Sequence, residues 1–149
     1  MNIRDDLRKI RTEFIRYNEY KEAIPKLKKR IKQAEKDRDL ELNDPPYGGS
    51  IVSIPDNPID RDTISMKWSK IIADLENEKT YCERRMHIIN NWFTILTTEQ
   101  HNIIKVYLCE FKGENRSTAA AVLKCSEDNV KARTSAGIKR IIRKYKEIL

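Results

Sequence analysis

The chain holds only two histidines, three cysteines and four glycines among its 149 residues, and each scarcity removes a class of chemistry. His87 and His101 lie apart in sequence, and neither sits in a metal-ligand spacing, so no metal site is expected. Cys82, Cys109 and Cys125 form no Cys-x-x-Cys pair and no even framework. A reducing cytosol is their natural compartment, and each reads as a small core residue. The glycines build no phosphate-cradling loop, and no nucleophile motif occurs. No apolar run approaches the length of a membrane span, and Met1-Asn2-Ile3-Arg4-Asp5-Asp6 lacks the hydrophobic stretch of a signal peptide. The expectation is a non-enzyme of the cytoplasm with no catalytic residues, no metal, no cofactor and no membrane contact.

What the chain does hold is helical patterning. Ile3, Ile10, Tyr17, Ile24 and Ile31 recur every seven residues, with Leu7 and Phe14 interleaved, which predicts one long helix over residues 3–40. The second seam position fails at Lys21 and Lys28, where Tyr20, Leu27 and Ala34 take over. Pro25 sits at this shift and is expected to kink or split the helix. A second seam runs through Trp68, Leu75, Cys82, Ile89 and Leu96, flanked by Ile64, Ile71, Ile72, Met86 and Phe93, and marks a helix over about residues 60–95. Each helix spans roughly 50 Å at 1.5 Å per residue. They can fold back as an antiparallel, coiled-coil-like hairpin or pair between subunits; the intrachain hairpin is taken as the default, with homodimerisation or higher assembly through its remaining apolar face.

Four of the five prolines and two of the four glycines fall within residues 43–58, between the seams. This composition predicts a long loop, acting as a tether or as an arm that touches a partner through Tyr47, Ile51, Val52 and Ile54. Asn57 and Pro58 supply a cap and a first position for the next helix. The expected organisation is therefore all-α: a hairpin over residues 1–95 for oligomerisation or partner binding, then a C-terminal domain over residues 96–149.

That second domain opens with Thr97 and Gln100 in capping-box spacing, ahead of a helix burying Ile103, Ile104, Val106, Tyr107, Leu108 and Phe111 and ending near Gly113. Asn115 is placed to cap the next helix, which carries Ala119, Ala120, Val122 and Leu123. Ser126 then caps a last helix with Glu127 and Asp128 in its first turn, where the helix dipole favours negative charge. Val130, Thr134, Ile138, Ile141, Tyr145 and Ile148 form its apolar stripe. Gly137, a weak point in a helix interior, is expected where a neighbouring helix packs closely.

Two short helices joined by a tight turn at residues 124–126 read as a helix-turn-helix, the unit that sets one helix in the DNA major groove. Charge placement agrees. Residues 1–97 hold 19 basic and 17 acidic side chains, whereas residues 98–149 hold 11 basic and 6 acidic. A basic C-terminal third is what phosphate neutralisation requires. The first turns of the second helix reach base edges in such units, which makes Ser126, Glu127, Asp128, Asn129, Lys131, Ala132 and Thr134 the candidates for the reading turn, Ser126 as its cap. Arg116, Arg133, Lys139 and Arg140 are candidates for phosphate contact; for Arg133 and Arg140 the alternative is a surface ion pair with Glu127 or Glu147.

From Gly113 to Arg133 the chain resembles region four of bacterial sigma factors without a gap. In that family a glycine precedes the first helix, and the turn often reads Leu-Gly-Cys-Ser before Val-Lys-Ser-Arg. Here the residues are Leu123-Lys124-Cys125-Ser126 and Val130-Lys131-Ala132-Arg133. Lys124 stands at the turn glycine, and Ala119 at a large aliphatic position. The layout, with its Pro/Gly-rich interruption and Asn57-Pro58 before the second long helix, resembles phage-encoded late transcriptional activators of the RinA and ArpU type. The resemblance implies a regulator that binds double-stranded DNA near a promoter, activates late genes and works with host RNA polymerase. Two other readings stay open: a phage terminase small subunit binding the packaging site, in which the order of elements is usually reversed, and a protein-interaction module that binds polymerase without DNA.

Overall fold

The heptad spacing of the first forty residues is carried by two helices rather than one. In a computed structural model, which describes residues 3–43 and 58–148, α1 spans Ile3–Ile15 and α2 spans Tyr17–Asn43. The break falls at Arg16, whose amide is shared between the carbonyls of Thr12 and Glu13 at 3.1 Å each, and Tyr20 N then resumes the ladder on Arg16 O at 3.1 Å. Pro25, expected to kink or split the helix, does not split it: it lies exposed inside α2. Its missing N–H leaves a carbonyl one turn back without its helical donor, and on an exposed face water satisfies that group.

After residues 44–57 the chain continues as α3 (Pro58–Ile95), α4 (Thr98–Ile104), a π-helical segment (Lys105–Glu110), α5 (Arg116–Leu123) and α6 (Glu127–Ile148). Among the described residues all regular structure is helical, with no strand, and no helix is long and apolar enough to cross a membrane. Pro58 stands at the first position of α3, as expected from its fixed φ. The Asn57 cap and the arm residues Tyr47, Ile51, Val52 and Ile54 lie outside the described residues.

Packing divides the chain at places other than residue 95. One unit comprises residues 1–21 together with residues 83–149, and the other comprises residues 22–82. The two-domain expectation of 1–95 and 96–149 is corrected accordingly, because the aromatic residues of the first seam bury against the end of α3 and the elements that follow it. Phe14, fully buried, meets Trp92 edge-on at 5.5 Å and Phe93 at 5.2 Å, and Tyr17 meets Phe93 edge-on at 5.6 Å. Asn18 Nδ2 donates to Cys109 O at 2.8 Å, and the Arg11 guanidinium lies 5.7 Å over the Tyr107 ring.

The core of this unit is completed by Ile89, Leu96, Ile103, Ile104, Leu108, Ala119, Ala120, Val130, Ile138, Ile141 and Ile142, all buried. Thr97 caps α4 with the anticipated capping box: Gln100 N donates to Thr97 Oγ1 at 3.2 Å, and Thr97 N donates to Gln100 Oε1 at 3.1 Å. The helix then widens, with Phe111 N reaching back five residues to Val106 O at 3.0 Å, and ends at Glu110, followed by a turn in which Gly113 has φ +75°. Val106 and Phe111, expected in the core, are half-buried. Tyr145, expected on the buried stripe of α6, is exposed, and Ile142 is buried in that part of the helix instead.

In the unit of residues 22–82, Ile31 and Ala34 of α2 form a small core with Ile72 of α3, flanked by Trp68, Ile71 and Leu75. Trp68 Nε1 donates to a Glu41 carboxylate oxygen, which Lys67 Nζ also reaches at 3.6 Å. Arg61 donates to Leu42 O at 3.2 Å. Rising numbers in α3 meet falling numbers in α2, so within this unit the two helices run antiparallel.

Candidate nucleic-acid interface

Helix α5 is short and small-faced. Ala119 is fully buried and Ala120 is 4% exposed, so the backbone of α5 lies close to its neighbours. Its first residue boundary differs from expectation. Asn115 adopts the left-handed conformation, φ 53°, and its side chain makes no capping bond. Side-chain capping needs an extended backbone at that position, which aims the oxygen at the free amides; the left-handed backbone does not.

The turn after α5 is a Schellman closure. Cys125 N donates to Ala120 O at 3.0 Å and Lys124 N to Ala121 O at 3.3 Å, while Lys124 itself sits at φ 57°. Glycine is the usual residue at this left-handed position. Lys124 therefore accepts a backbone penalty of about 1–2 kcal/mol, and the turn closes tightly all the same.

Ser126 begins α6 as the sequence indicates. Its Oγ accepts from Asn129 N at 3.1 Å, and Val130 N donates to Ser126 O at 3.1 Å. Fully buried Val130 fixes the rotation of the helix, which turns Glu127, Asp128, Lys131, Ala132 and Arg133 to solvent, followed by Lys139 and Arg140. Asn129 is half-buried, and its Oδ1 accepts from Arg133 Nε at 3.4 Å. Arg133 also reaches Glu99 Oε1 at 3.4 Å, so its ion-pair partner is in α4; Glu127 instead meets Arg116 Nε at 3.9 Å. These half-exposed pairs are weak and exchange readily for another anion. Arg140 donates through Nε to the Ile95 carbonyl at 2.7 Å.

Thr134 is corrected as a reading candidate. It is 3% exposed, on the face shared with Val130 and Ile138, and its Oγ1 has no hydrogen-bond partner among the described residues. A side chain at that depth reaches no base. Ser135 and Ala136 occupy the outward turn in its place, half-buried and exposed respectively. The outward line is thus Asp128, Ala132, Ser135, Lys139 and Arg143, at helical steps of three and four. Steps of four and three from Asp128 lead through Ala132 to Ser135 in the sequence.

The arrangement presents a helix, capped at its N-terminus, whose exposed side carries ammonium, guanidinium and methyl groups beside the Glu127 and Asp128 carboxylates. The Asn129 amide is half-buried among them, and such groups can meet base edges and phosphates. Away from this face, burial and then neighbouring Glu110 push the Cys109 thiol up to about 12, so it stays protonated at neutral pH. Burial raises Tyr17 above its ordinary value, with Cys109 adding to the effect.

No family model matches the chain, and neither curated proteins nor solved structures give a match.

Proposed function

We propose that the chain is a sequence-specific double-stranded DNA-binding regulator of transcription. In this reading α5, the turn at Lys124 and α6 act as a helix-turn-helix, and α6 is the helix that enters the major groove. The observation that carries the reading is the start of α6: a Ser126-capped, left-handed turn directs an exposed polar and basic helix face away from a packed core. Asp128, Asn129, Lys131 and Ala132, with Ser135, serve as the base-facing group. Arg116, Arg133 and Lys139 serve as phosphate contacts.

The remaining elements supply assembly. The antiparallel α2–α3 pairing is read as a coiled-coil-like hairpin for a partner or a second copy, and the whole as a cytoplasmic phage-type late activator acting with host RNA polymerase, without catalytic residues or cofactor. A dimer would read two half-sites about one helical turn apart. A ring of eight or more copies in solution would instead favour the terminase small subunit.

The test is selection of genomic fragments on the purified protein at physiological salt, followed by sequencing. A few sharp sites near promoters are expected; fragments recovered without preference would refute specific readout. Lys131→Ala combined with Arg133→Ala is expected to weaken the selected site at least tenfold, with helicity by circular dichroism unchanged. Unaltered affinity in that variant would remove the proposed reading face.

A further inference from the structure

The far end of α6 borders a cleft of about 560 Å³ formed by Thr94, Ile95, Arg140, Arg143 and Lys144. Among the described lining residues three of five are cationic, and Ile95 is the one large apolar side chain. Among the described residues neither Arg143 nor Lys144 has an ion-pair partner, and both are exposed. Arg140 is held differently. Its Nε–H is fixed on the Ile95 carbonyl at 2.7 Å, a group that the end of α3 leaves without a helical donor. That bond orients the guanidinium plane and leaves its two terminal nitrogens for a second acceptor, the pair that forks onto a phosphate or carboxylate.

We infer that this cleft is a second nucleic-acid contact, binding backbone phosphate of the duplex outside the bases read by the first turns of α6. The inference rests on the DNA-binding reading above. Three cations with a pre-oriented arginine suit a phosphodiester, whereas a protein segment would require apolar pockets for anchoring side chains, and the cleft offers only Ile95. From Ala132 to Arg143 the helix advances roughly 17 Å at 1.5 Å per residue. The cleft therefore meets phosphates flanking the read bases, and it adds affinity without adding sequence preference.

The experiment uses the full chain with Arg143→Ala and Lys144→Ala together, since Arg140 also secures the end of α3. Binding to the selected site and to an unrelated duplex is measured across a salt series. The double variant is expected to weaken both by a similar factor, about tenfold, and to lower the slope of log affinity against log salt by about 2. Trimming the duplex flanks is expected to remove the same increment, so variant and trimming are not additive. If the variant keeps wild-type affinity and slope while wild-type protein binds its site, the cleft is refuted and the reading helix stands. If wild-type protein binds no duplex, both fall. If a poly-glutamate peptide binds the cleft and duplex does not, the cleft is overturned as a nucleic-acid contact in favour of an acidic protein partner.

Discussion

Thr134 and Lys124 show the two kinds of cost that single residues carry in this chain. Thr134 places a hydroxyl in a buried site where it makes no hydrogen bond among the described residues, and its neighbours on the stripe are aliphatic. Replacing it by valine keeps the shape and removes the unsatisfied group. Thr134→Val is expected to leave stability unchanged or raise it by up to about 1 kcal/mol in urea titration, with duplex affinity unaltered. A clear loss of stability would mean that the hydroxyl has a partner. Lys124 holds a left-handed backbone that side chains resist. Lys124→Gly is expected to stabilise the fold by about 1 kcal/mol, read as a higher urea midpoint at the same slope. A destabilised variant would show that the long side chain, rather than the turn geometry, matters there.

At the level of elements, Gly137 decides how closely α6 lies on α4 and on Leu96 just ahead of it. A Cβ at this position would stand 2.8 Å from Ile104 Cδ1, 3.2 Å from Leu96 Cδ2 and 3.5 Å from Gln100 Cβ, and Ile104 is fully buried with nowhere to retreat. Gly137→Ala gains about 1 kcal/mol of helix propensity but overpacks by more. The expected net effect is a loss of about 1 kcal/mol, measured by denaturation; a stabilised variant would show that the contact relaxes easily. This close approach was legible in the sequence, because a glycine inside an otherwise periodic helix has few other uses. So were the capping box at Thr97, the Ser126 cap and the bounds of α3, each carried by residue types at fixed local offsets. The break at Arg16, the π-helical segment and the failure of Asn115 to cap were not legible. They depend on which backbone groups the tertiary packing satisfies, as when Asn18 takes up the Cys109 carbonyl. In the candidate site, the cap, the turn and the outward lysine and arginines could be read from pattern alone. Thr134 could not be both on the apolar stripe and on the reading face, and the stripe prevailed.

At the level of the whole molecule, the decisive fact is that α1 belongs with the C-terminal elements. Phe14 is completely buried beside Trp92 and Phe93, and heptad spacing cannot say which of two seams an aromatic residue will join. A fragment of residues 96–149 alone lacks Phe14, Ile89 and Trp92, the larger part of one side of its core. It is expected to show little helix by circular dichroism and no cooperative thermal transition. A cooperatively folded fragment would show that α1 is dispensable for the candidate interface.

The division of that unit has a consequence for its birth on the ribosome. About sixty residues separate the first 21 residues from the resumption of their unit at residue 83. At roughly 5–20 residues per second, α1 emerges some 3–12 s before the start of α3's final stretch, and the last helix comes later still. Through that interval Phe14 lacks Trp92 and Phe93, the rings it packs against. Completion of the proposed reading unit therefore waits until α6 has emerged, and Phe14 is the residue most in need of shelter until then.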